Sequence, residues 1–167
     1  MAPRRPERLY GIARQLLDVA VAGLDDHTQG GAPARQYVSD GPLIAWDCEQ
    51  VVVTVESTLG HEGDVTTEVA SPVNCLMMRA AQLGIWVVRC APTVTEDGLP
   101  PLAQDVDDNA AVVLTDVMVL ADVVADAYRR GELLGCHGLA FQQWQGIGPE
   151  GGLVGGVLRV RVDLTAV

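Results

Sequence analysis

A chain of 167 residues is long enough to bury a core without metal or disulfide staples, and a single domain spanning residues 1–167 is expected. Its 22 Asp and Glu outweigh 11 basic residues, giving a formal net charge of −11. That balance excludes general affinity for nucleic acid, which needs Lys and Arg to neutralise phosphates. All eleven basic residues are Arg, which reads as GC-rich base composition rather than eleven separate demands for bidentate pairing.

No apolar run of about 18 residues occurs, and the start, Met1 to Glu7, is charged, so neither a membrane-spanning helix nor a signal peptide is expected. Cys48, Cys75, Cys90 and Cys136 are spaced too widely for a zinc knuckle or a dense disulfide scaffold. Reduced thiols in a cytoplasm are the expectation.

In chain order, Leu9, Ile12, Ala13, Leu16, Leu17, Ala20, Val21 and Leu24 recur at three- and four-residue spacing and predict a helix from Pro6 to Leu24. Residues Asp25 to Ala34 are rich in Gly, Asp and Pro and read as a surface loop. A strand is expected over Leu43 to Ser57, where Val51, Val53 and Val55 share a face. The polar stretch Thr58 to Asn74 is longer than a hairpin needs and reads as a partner-facing loop. Gln82 to Ala91 reads as a second strand, with Leu83, Ile85 and Val87 alternating against Trp86, Val88 and Cys90, both faces apolar.

After a turn-rich connection from Pro92 to Pro101, a long helix is predicted to Arg130, with Gly131 as its C-terminal cap. Its principal stripe is Val106, Ala110, Val113, Leu114, Val117, Leu120, Ala121, Val124 and Tyr128. Opposite lie Asp108, Thr115, Asp122 and Asp126, interleaved with Val112, Val119 and Val123. These valines are either a tolerant surface in a Val-rich chain or a subunit contact, and the second is the candidate site. The chain then closes in a hairpin, Cys136 to Gly146 and Gly152 to Leu164, turning through Ile147 to Gly151. The expected fold is α+β: a four-stranded, mainly antiparallel sheet with two helices on one face.

No dinucleotide fingerprint, Walker A loop, zinc-protease or nucleophile-elbow pattern is present. His27, His61 and His137 lie in or beside loops or strand starts, and Cys136-His137 would point to opposite faces of a strand. Acid pairs such as Asp107-Asp108 read as charges that suit a helix start. No catalytic residue, metal ligand or cofactor is assigned.

Three stretches carry a resemblance: Ala45-Trp46-Asp47-Cys48-Glu49-Gln50-Val51-Val52-Val53, then Val87-Val88-Arg89-Cys90-Ala91-Pro92-Thr93, then the Asp-rich helix with Gly148-Pro149-Glu150-Gly151-Gly152. Over most of the chain after residue 35, this resembles tail terminator (tail completion) proteins of long-tailed actinobacteriophages. The resemblance implies a virion structural protein, assembled in the host cytoplasm, with no catalytic residues to transfer. It would form a homo-oligomeric, usually six-fold ring that caps the tail tube protein, ends polymerisation and meets the head–tail connector. Genome DNA would pass through the ring without sequence-specific contact, and no membrane is involved. A head–tail connector or other neck protein is the alternative within that class, and a small cytosolic ligand-binding α+β domain the alternative outside it. A ring contact of different patches on each subunit would suit Val112, Val119 and Val123.

Overall fold

The computed structural model describes residues 5–28, 30–42, 44, 45, 47–60 and 78–164. Helix α1 spans Arg5–His27, strand β1 Arg35–Asp40, β2 Gln50–Gly60, β3 Met78–Cys90, helix α2 Ala103–Arg129, β4 Cys136–Glu150 and β5 Leu153–Leu164. The five strands form one sheet in the order β1-β2-β3-β5-β4. β1 runs parallel to β2, and the other three pairings are antiparallel. The architecture is α+β, with a five-stranded mixed sheet where four mainly antiparallel strands were expected.

The added strand is β1. Its residues, Arg35-Gln-Tyr-Val-Ser-Asp40, lack the β-branched density of β2, and only the pairing of Arg35–Asp40 with Gln50–Val55 makes them a strand. Conversely, Ala45 and Asp47, expected in the following strand, belong to a turn held from inside. The fully buried Gln50 amide donates to the Ala45 carbonyl at 2.5 Å and the Asp47 carbonyl at 2.6 Å, and its oxygen accepts from the Tyr37 hydroxyl at 3.0 Å. A buried amide with its partners in place avoids the penalty of an unmade hydrogen bond and fixes where β2 begins. Of the expected loop from Thr58 to Asn74, Thr58 to Gly60 extend β2, and residues 61–74 lie outside the described residues.

Both helices pack on one sheet face, α1 over β1 and β2, α2 over β5 and β4. Ile12, Leu16, Leu17 and Leu24 of α1 meet Val51 and Val53, while Leu120 and Val124 of α2 join Leu83, Ile85, Val160 and Val162. Each fully buried side chain of this kind stabilises by about 1.5–3 kcal/mol relative to exposure. The helices approach closely at Gly23, where a Cβ would fall 2.7 Å from Val123 Cγ1. The opposite sheet face is also partly buried, at Val52, Thr54, Val88 and Val157, as the two-faced apolarity of β3 implies.

The α2 C-terminus is capped as expected: the Gly131 amide donates to the Tyr128 carbonyl at 3.0 Å and the Glu132 amide to the Ala127 carbonyl at 2.9 Å. The closing hairpin is tighter than expected. Glu150 pairs with Leu153, and Gly151 and Gly152, with φ of 61° and 79°, make a two-residue turn whose twist matches the strands. Among the described residues, no helix is long and apolar enough to cross a membrane.

Candidate functional site

Two regions depart from the simple rule of apolar inside and charged outside. The first lies where β2 begins and β3 ends. Val87 and Arg89 point to the same sheet face, so Arg89 enters the core, where Asp116 of α2 meets it. Arg89 is 4 % exposed and Asp116 0 %. The guanidinium donates Nε to Asp116 Oδ2 at 2.9 Å and Nη2 to Oδ1 at 3.0 Å, a two-pronged pair. Its remaining donors reach the Gly31 carbonyl at 2.8 Å and Glu49 Oε2 at 3.3 Å. Burial pushes the Asp116 carboxyl up, and the Arg89 hydrogen bond and charge pull it back only in part. Burial also works against the Arg89 charge, but Asp116 and Glu49 outweigh it and its pKa is raised.

Glu49 is placed by its backbone as well as its side chain. It holds φ at 58°, a region L-residues enter at a cost, and its Oε1 accepts the Cys90 amide at 3.1 Å. Directly beside this contact Cys48 and Cys90 form a disulfide, with Cα atoms 4.9 Å apart. The expectation of reduced thiols is therefore corrected for this pair. They lie 42 residues apart in sequence and meet because the turn before β2 folds back on the end of β3. Cys136 is unbridged, and burial pushes its thiol pKa up, which disfavours the reactive thiolate. Cys75 lies outside the described residues. At the same end, the Ala91 amide donates to the Gly152 carbonyl at 2.7 Å, so the hairpin turn joins β2 and β3 there.

The second region is the flank of α2 that leans toward β4. Val112, Val119 and Val123 do not lie on it. All three are half-buried, Val119 and Val123 packed against the core and Val123 closing on Gly23, while Val112 lines a cleft with His27 and Thr28. They face α1, so their burial already comes from within the chain. At about 100° per residue, Leu114, Met118 and Ala121 turn the other way from Leu120. That side carries Tyr128, whose hydroxyl donates to the His137 carbonyl at 3.1 Å at the start of β4. Leu114 is 62 % exposed and Met118 63 %; Val106 and Leu102, at the helix start, are exposed too but lie nearer the angular position of Leu120. Of the expected stripe, Leu120 and Val124 are buried and Ala121 and Tyr128 pack against the core, but Val106 and Leu114 are exposed; the buried row runs through Asp116, Leu120, Val124 and Ala127.

β4, beside this flank, is an edge strand, paired among the described residues with β5 alone. From Cys136 through Pro149 it contains no Asp, Glu, Lys or Arg, although the chain as a whole carries a net charge of −11. Phe141 stands on its helix-side face, 43 % exposed, next to a bulge between Phe141 and Gln143. Natural sheet edges are commonly guarded by charge, and β4 has its bulges, Pro149 and a single acid, Glu150, at its very end.

The sequence signals for both regions were present but pointed elsewhere. Arg89 continues the inward alternation of Leu83, Ile85 and Val87, and Asp116 lies four residues before Leu120, so each sits on a core-facing row as a charge that needs a partner. Among the described residues, no group of three or more His, Cys, Asp or Glu is placed to hold a metal ion. Compared with known proteins, the chain matches no protein-family model and no curated protein sequence.

Proposed function

We propose that this chain is a virion structural protein, the tail terminator of a long-tailed phage, which closes into a ring, caps the tail tube and joins tail to head. The observation that carries the reading is one side of the described molecule: an edge strand free of Asp, Glu, Lys and Arg from Cys136 through Pro149, next to a helix flank bearing Leu114 and Met118 in water. An acidic protein that leaves such a surface bare is built to bury it in an assembly.

The resemblance in the sequence adds a second support. Its three stretches converge in space, through the Cys48–Cys90 bridge, the Glu49 contacts to Arg89 and Cys90, and the Ala91–Gly152 hydrogen bond. They serve as scaffold, which suits a protein whose work is shape and contact rather than reaction chemistry. A net charge of −11 also suits a ring that lets DNA pass without retaining it.

The test is to add the purified chain to polymerising tail-tube subunit and measure tube length by negative-stain microscopy. The reading expects tubes arrested at a length that shortens as the chain is added earlier or in larger amount. Unchanged lengths with the chain bound to the head-side connector would move it to a neck protein. No binding to either would return it to the small ligand-binding class.

A further inference from the structure

The cross-strand register carries a level across the whole sheet. Asp40 pairs with Val55, Val55 with Leu83, Leu83 with Val160, and Val160 with Phe141. One row therefore runs from β1 to β4, the two outer strands of the described sheet, and Phe141 ends it on the same face as Val55, the helix side. At the other end of that row is a cavity of about 470 Å³, lined by Leu9 and Tyr10 of α1, Val38 and Asp40 of β1, and Val55 and Thr58 of β2. It exists because β1 stops at Asp40 while β2 continues to Gly60, leaving a step in the sheet edge beneath α1.

We infer that two copies of this chain meet edge to edge, β4 of one antiparallel to β1 of the next, with Phe141 of the first seated in the second's Leu9–Tyr10–Val38–Val55 cavity. The inference rests on the ring reading above and specifies its contact. Three observations select a second copy as the occupant. Phe141 and the cavity share a level and a face, so copies placed side by side with the same face up bring them together without a shift in register. β4 runs opposite to β2, and β1 runs with β2, so the meeting strands are antiparallel. Finally, two chains of net charge −11 repel, and this contact brings together a strand that is free of Asp, Glu, Lys and Arg from Cys136 through Pro149 and a cavity at which Asp40 is the one charged residue among the described lining. The two patches differ, so the contact is head-to-tail, and rotation from copy to copy closes it into a ring.

Phe141→Glu and Tyr10→Glu each break one side of this contact and leave the other intact. Sedimentation should show the wild type as a closed oligomer and each variant alone as a monomer. An equimolar mixture of the two should form a dimer and nothing larger, because only one sound contact remains per pair. Rings formed by Phe141→Glu alone would overturn the inference while leaving the ring reading in place. A dimer of Tyr10→Glu alone would mean that β4 pairs with β4, which also overturns it. A wild type that stays monomeric both free and on the tube would remove both. Hydrogen exchange of the wild type guards against misfolded variants: amides of β1 and β4 should gain protection together as concentration rises, and unchanged exchange in either strand contradicts the contact.

Discussion

The end of the molecule where β2 meets β3 and the flank where α2 meets β4 break opposite rules. At the first, an Arg and an Asp are taken out of water, yet each finds its partners inside the chain, and a disulfide closes over them. At the second, Leu114, Met118 and Phe141 are left in water although an apolar core lies a few residues away. Buried charge that is fully paired ties distant segments into one arrangement and needs nothing from outside. Exposed apolar surface beside a weakly charged edge finds no such partner among the described residues, and the proposal gives it one in a neighbouring molecule. The first region holds the chain's own segments together, and the second is the surface proposed to meet a neighbour.

Changes at the two regions should accordingly separate stability from assembly. Asp116→Asn removes the carboxylate that faces buried Arg89 and should cost about 3–5 kcal/mol, the range for breaking one side of a buried pair, read by urea unfolding. A loss under about 1 kcal/mol would mean that Glu49 and the Gly31 carbonyl alone hold the guanidinium. The double variant Cys48→Ser, Cys90→Ser should lose about 2–4 kcal/mol for a bridge across 42 residues, and the wild type in reductant should match it. If reductant left thermal unfolding unchanged, the bridge would be absent from the working protein. The smallest effect on the protomer is expected for Met118→Glu: within about 0.5 kcal/mol of wild type, as for an ordinary surface position. Its mark should be loss of assembly in sedimentation. Full assembly would place the contact away from α2.

Periodicity located both helices, the strong strands and the hairpin, because those elements bury regular apolar rows that a 3.6 or 2.0 repeat records. β1 escaped it, since six residues with Arg, Gln, Ser and Asp become a strand only through parallel pairing with β2. The buried row of α2 was legible only in part, for a related reason. So many of its positions are Val, Ala or Leu that the apolar stripe spans most of the helix, and the centre of the buried row is marked by Asp116, a residue that a hydrophobic count discards. Reading Arg89 and Asp116 as a pair would have centred the buried row on Asp116, Leu120 and Val124 and left Leu114 outside it. The disulfide was hidden because spacing in sequence says nothing of a turn that Gln50 folds back from within.

Whether this chain ends tubes can be seen by electron microscopic imaging of tail tubes assembled with gold-labelled chain. Label should sit at one end only of every length-arrested tube, as a closed ring coaxial with it. Label along the tube walls, or bare ends with the chain left in solution, would contradict the proposal.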